Sequence, residues 1–151
     1  MHLFHLGSKR YARQLTGDGA RLFGGRWNQK GDACIYTSAT RSLCILEYLA
    51  NVSMEDLPTE LEITVYELAD RFCKVIDQAD LPANWNEIPS PMSTKIFGSN
   101  LLADGRIVCF AVPSVIVPAE LNYILNPAAS NFKELAIVAT EAFVVDSRIK
   151  K

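Results

Sequence analysis

Arg26 follows Gly24-Gly25 and precedes Trp27-Asn28, inside a stretch that carries five glycines between Gly17 and Gly31. Such a backbone turns sharply and lets a ligand come close. A guanidinium held there suits a phosphate or a carboxylate, because its planar fork matches their oxygens. The plainer alternative is an arginine that ties its loop to a nearby acid. The stretch has no G-K-[ST] ending, which argues against a Walker-type NTPase. It also lacks G-x-G-x-x-G after a strand, so Rossmann dinucleotide binding is not supported.

Glu47 is the second residue able to do chemistry. It lies four residues after Leu43 and three before Ala50, at the margin of the apolar face of a predicted helix. A carboxylate aimed at a core boundary needs a cation or a hydroxyl to offset desolvation; a solvated glutamate on a helix edge is the bland reading. Tyr36 offers an aromatic face and a hydroxyl, or simply a core side chain. Ser114 follows Val112-Pro113 where an apolar run ends, a place where side chains face clefts. With only His2 and His5 as possible bases and no G-x-S-x-G elbow, hydrogen bonding fits Ser114 better than nucleophilic attack.

These side chains need elements to hold them. Residues 3–6 read as a short opening strand, followed by a helical turn through Tyr11 and Leu15. Residues 33–37 read as a buried strand. Ser38 or Thr40 can cap a helix from Arg41 to about Asn51. Apolar and polar residues alternate over 61–68, the pattern of a half-exposed strand. Pro82, Pro89 and Pro91 around Trp85 predict irregular surface structure. A helix is expected over 92–102, then strands over 107–112 and 121–125. Residues 135–145 are apolar enough for a central strand, with helix an open alternative for the first half. Strands and helices do not alternate as in a parallel βαβ array, so the expected class is α+β, with a mixed or antiparallel β core flanked by helices.

The 151 residues fit one domain, and 49% hydrophobic content can build a core without disulfides or a structural metal. A formal charge of −2 argues against a surface that grips nucleic acid. Cys34, Cys44, Cys73 and Cys109 are widely spaced among apolar residues and read as core; with His2 and His5 they make no convincing metal site. Neither an export leader nor a ~20-residue apolar span is evident, so the expected location is the cytoplasm, with no membrane partner.

Taken together the motifs are more specific than each alone. The run Gly17-x-Gly19-Ala20-x-x-x-Gly24-Gly25-Arg26-Trp27-Asn28-x-x-Gly31 resembles the N-terminal motif of the RES domain family. Ile35-Tyr36-Thr37-Ser38, Leu46-Glu47, Val112-Pro113-Ser114, Asn122-Tyr123-x-x-Asn126-Pro127 and Asp146-Ser147-Arg148 follow in the family's order. The resemblance covers roughly residues 3–148 and makes 1–151 a single RES domain. It implies an ADP-ribosyltransferase-like fold and the toxin of a type II toxin–antitoxin pair, partnered by an Xre-type helix-turn-helix antitoxin. NAD is then a substrate rather than a cofactor, and no metal is needed. The resemblance assigns catalysis to Arg26, Glu47 and Ser114, and substrate binding to Tyr36, Gly25, Trp27, Asn28, Ser38, Asn122 and Asn126.

The acceptor stays open among water, phosphate and a protein side chain, as does a weakened member that acts through antitoxin binding. Three positions depart from the family. His5 stands where a first-strand arginine is usual, Ala128-Ala129-Ser130 where a histidine often follows Asn-Pro, and no tryptophan accompanies Gly98-Ser99-Asn100. The first is expected to weaken phosphate binding, since a neutral imidazole replaces a fixed charge.

Overall fold

The computed structural model describes residues 1–149. Its strands are β1 (His2–Ser8), β2 (Ile35–Ser38), β3 (Leu61–Glu67), β4 (Cys73–Val75), β5 (Cys109–Pro113), β6 (Leu121–Leu125) and β7 (Ala136–Phe143). Among the described residues they form one sheet in the order β4-β5-β6-β2-β1-β3-β7, and only the β4–β5 pair is parallel. The helices are α1 (Asp18–Phe23), α2 (Arg41–Asn51) and α3 (Met92–Ala103). The result is an α+β domain with a mixed sheet, as the order of elements in the sequence implies.

One joint in this sheet is weak. β1 pairs with β3 along its whole length, His2 opposite Glu67 through Ser8 opposite Leu61. Its register with β2 consists of Phe4 opposite Ser38 alone. Strand alternation puts Phe4, Leu6, Tyr36, Ser38, Asn122 and Ile124 on one face. Two cores form on that face. Phe4 and Leu6 pack with Cys44 of α2 and with Ile63 and Val65 of β3. Tyr36 packs with Trp27, Leu102, Phe110, Val112 and Ile124. A third core covers the other face around Leu3, Ile35, Tyr66, Cys109 and Leu125.

Several expectations needed correction. The 135–145 segment becomes β7 at the edge of the sheet, not a central strand; its small alanines and half-exposed Val138 leave one side unpaired. β3 is buried on both faces, because the Thr64 hydroxyl donates to the Ala12 carbonyl and lets the 9–16 segment cover that side. The glycine-rich stretch contains the short helix α1, β4 forms ahead of the prolines, and Trp85 among them is buried in the core rather than at the surface. The four cysteines are free thiols, buried except for the partly exposed Cys73. No helix among the described residues is long and apolar enough to cross a membrane.

Candidate active site

The site is built where the two same-face cores meet, and α2 supplies its carboxylate. The Thr40 hydroxyl caps α2 by accepting from the Leu43 amide at 3.1 Å. That anchors the helix whose buried Leu43 and Cys44 face the core. One turn on, Glu47 emerges half-buried at the edge of that face. Its Oε1 accepts from the Ser114 hydroxyl at 2.7 Å and from Asn122 Nδ2. The Ser38 hydroxyl donates in turn to Asn122 Oδ1 at 2.7 Å, which fixes the amide with its N–H toward the carboxylate. Glu47 is thus held by neutral donors alone, and Oε2 has no partner among the described residues.

Ser114 itself is fully buried just past the end of β5. Its Oγ accepts from the Ile116 and Val117 amides, each at 3.0 Å, so its proton is directed at Glu47. This places Ser114 behind the carboxylate as an orienting group. Ser38 and Asn122 stand on paired strands at the same level, Ser38 opposite Asn122 and Asn122 opposite Val112.

Arg26 approaches from the other core. Its Nη1 donates to the Trp85 carbonyl at 2.8 Å and to the Glu87 carbonyl at 2.9 Å. Nε and Nη2 have no acceptor among the described residues. Burial lowers the pKa of the guanidinium, and the charge of Glu47 opposes that shift, so the two groups share one electrostatic environment. The cation is clamped by carbonyl dipoles, with no carboxylate on it among the described residues, and keeps donors for an anion.

The loop around Arg26 is braced from below. The Tyr36 hydroxyl accepts from the Trp27 amide at 2.9 Å and donates to Asn28 Oδ1 at 2.8 Å. The Asn28 amide, wholly buried, donates to the carbonyls of Ala20, Gln29 and Asp32. Gly25 must lack a side chain, since a Cβ there would lie 2.5 Å from the Tyr36 hydroxyl. Trp27 is a core residue, edge-on to Phe97 of α3. Burial holds the Tyr36 phenol well above its usual pKa.

Of the residues singled out in the sequence, Glu47, Ser114, Asn122 and Ser38 form one hydrogen-bonded chain, and Arg26 and Tyr36 flank it. Gly25, Trp27 and Asn28 build the loop that carries Arg26. Asn126 is not brought to the cluster: it lies past the far end of β6 from Asn122, donating to the Leu102 and Ile107 carbonyls and accepting from the Ala128 amide. His5 falls on the face opposite Phe4 and Leu6, so it is not subtracted from the cluster as a missing cation. Its Nδ1 donates to the Tyr36 carbonyl at 2.8 Å.

Sequence reasoning missed the Trp85 and Glu87 carbonyls, because main-chain acceptors leave no residue-type signal. It also missed Gly98 and Ser99, noted only for an absent tryptophan. Ser99 accepts from the Gln29 amide at 3.0 Å and donates to Asp32, while Gly98 lets α3 touch the Trp27 backbone. Among the described residues no group of three or more His, Cys, Asp or Glu could hold a metal.

The family model described as the RES domain matches residues 2–146. The chain belongs to the RES domain family. A RES relative from Yersinia enterocolitica (strain NCTC 13174 / 8081), named Toxin Res, is 36% identical over 152 residues, covering 99% of this chain and 100% of that one. A protein of Sphingobium sp. (strain YBL2), named Prs ADP-ribosylating toxin, is 32% identical over 141 residues, covering 91% of this chain and 88% of the relative. The fold is similar to one in the crystal structure of the M. tuberculosis MbcT-MbcA toxin-antitoxin complex. The TM-score is 0.76 at 14% identity, over 95% of this chain and 84% of that one. That likeness supports the α+β fold of this RES domain.

Proposed function

We propose that this RES domain is the toxin of a toxin–antitoxin pair and cleaves the nicotinamide–ribose bond of NAD in the cytoplasm. The observation that carries the reading is Glu47, held at Oε1 by Ser114 and Asn122, while Arg26 stands in the same electrostatic environment with its Nη1 on the Trp85 and Glu87 carbonyls and no acidic partner among the described residues. The names of the relatives support the toxin role, and a neighbour solved with its antitoxin supports a protein partner of that kind, which we take to be of the Xre helix-turn-helix type.

The chemistry suits these residues. Nicotinamide is cationic in NAD and leaves as a neutral base, taking the electron pair of the C1′–N bond, so no general acid is needed. The barrier lies in the oxocarbenium character that develops on the ribose. A fixed carboxylate beside that charge stabilises the transition state more than the ground state. Glu47 Oε2 is free to meet a ribose hydroxyl, and Arg26 to hold the pyrophosphate, converting binding into orientation. The acceptor oxygen then bonds to C1′ and releases its proton. Water as acceptor gives ADP-ribose, and phosphate gives its 1″-phosphate.

The test is NAD consumption by the purified chain, with and without phosphate, beside Glu47→Gln and Arg26→Ala. The expected result is NAD loss by the wild type, abolished in Glu47→Gln and reduced in Arg26→Ala, with the product naming the acceptor. A folded wild-type chain that leaves NAD intact in every condition sinks the reading. A second reading, ADP-ribose transfer to a protein, draws on the name of the Sphingobium relative; transfer of label from NAD to lysate protein, without free ADP-ribose, would favour it.

A further inference from the structure

Tyr36 invites assignment to substrate contact, yet its hydroxyl is already engaged. That group has one proton, and the proton goes to Asn28 Oδ1 at 2.8 Å; it also accepts from the Trp27 amide at 2.9 Å. Both partners belong to the residues immediately after Arg26. On the near side, a Cβ at Gly25 would stand 2.5 Å from the same oxygen, so the residue just before Arg26 is also seated against the phenol. Asn28 spreads the grip through three carbonyls, of Ala20, Gln29 and Asp32. Beyond the backbone, Arg26 is held among the described residues through Nη1, by two carbonyls of the 85–87 segment. The direction of its free donors therefore depends on where the loop sits.

We propose that the Tyr36 hydroxyl is a positioning group that sets the Arg26 guanidinium for the anionic part of the substrate by bracing the Trp27 amide and the Asn28 side chain. The proposal rests on the NAD reading for the identity of that anion, but the brace itself does not. A tyrosine serves here where phenylalanine would not, because the loop's buried amide and carboxamide need a group that accepts and donates at one point.

The experiment is a double-mutant cycle on NAD affinity, by calorimetry, in the full chain carrying Glu47→Gln so that NAD stays intact. Tyr36→Phe is expected to weaken NAD about tenfold when Arg26 is present and to add nothing when Arg26 is alanine. Equal losses in both backgrounds would overturn the proposal and make Tyr36 a direct contact or a general support. Exchange of the Trp27 amide, followed by NMR in the otherwise wild-type chain, supplies a readout that needs no ligand. Tyr36→Phe should expose that amide while leaving the amides of β6 protected. Unchanged protection overturns the brace whether or not NAD binds. If NAD binds none of the chains but the Trp27 amide is released, the substrate reading fails and the brace survives. Gly25→Ala, which pushes on the same oxygen, gives a second route to the same loss of Trp27 protection should Tyr36→Phe fold poorly.

Discussion

The Glu47 carboxylate is held at Oε1 by two neutral donors, Ser114 and Asn122. A hydrogen bond to a charged group contributes about 1.5–3 kcal/mol. Ser114→Ala, which removes the Ser114 bond to Oε1, is therefore expected to lower NAD turnover roughly ten- to a hundredfold. Asn122→Asp should do at least as much harm, because it turns a donor into a second acceptor facing Glu47. Steady-state kinetics with melting curves alongside would separate these effects from unfolding. A Ser114→Ala chain with undiminished kcat would show that the bond merely parks the glutamate.

At the scale of elements, the loop that carries Arg26 leans on α3. A Cβ on Gly98 would meet the Trp27 carbonyl oxygen at 2.0 Å, a backbone contact with nowhere to go. Gly98→Ala should cost about 1–3 kcal/mol, seen as a Tm lowered by several degrees. Thr40→Ala, which uncaps α2, should cost about 1 kcal/mol and leave the Arg26 loop untouched. These elements differed in how legible they were. The periodicity of α2 and its Thr40 cap placed Glu47 correctly at a core margin. The glycines around Arg26 announced a tight loop, although α1 within it was hidden because six residues are too few to show a helical stripe. Asn126 stands apart from the cluster, which the sequence did not show, since a motif spacing says nothing about which end of β6 each asparagine occupies. Trp85 and Glu87 act through main-chain oxygens, and no residue type encodes that.

Across the whole molecule, the β1–β2 joint is where two halves of the sheet meet through one register pair, and the His5 imidazole supplements it by donating to the Tyr36 carbonyl. Burial holds the pKa of His5 below its usual value, the bond to Tyr36 partly opposing. A base whose folded pKa is depressed stabilises the fold in its neutral form. That contribution is complete above the unfolded value of 6.5 and is lost as pH falls below it toward the folded pKa. Urea midpoints should thus drop between pH 7.5 and 5.5. His5→Asn, whose amide can still donate to Tyr36, should flatten the drop; an equal slope in both chains would mean other groups govern it.

The order of the site's groups along the chain has a consequence for biosynthesis. Arg26 and Glu47 belong to the first third of the chain, but the donors that orient the carboxylate, Ser114 and Asn122, arrive only near its end. A ribosome that has released the first hundred residues has made both charged groups but not the two donors that hold Oε1. If the proposed chemistry holds, the cell translating this message handles a harmless nascent chain until β5 and β6 close beside β2, which leaves an antitoxin almost the whole of synthesis in which to be waiting.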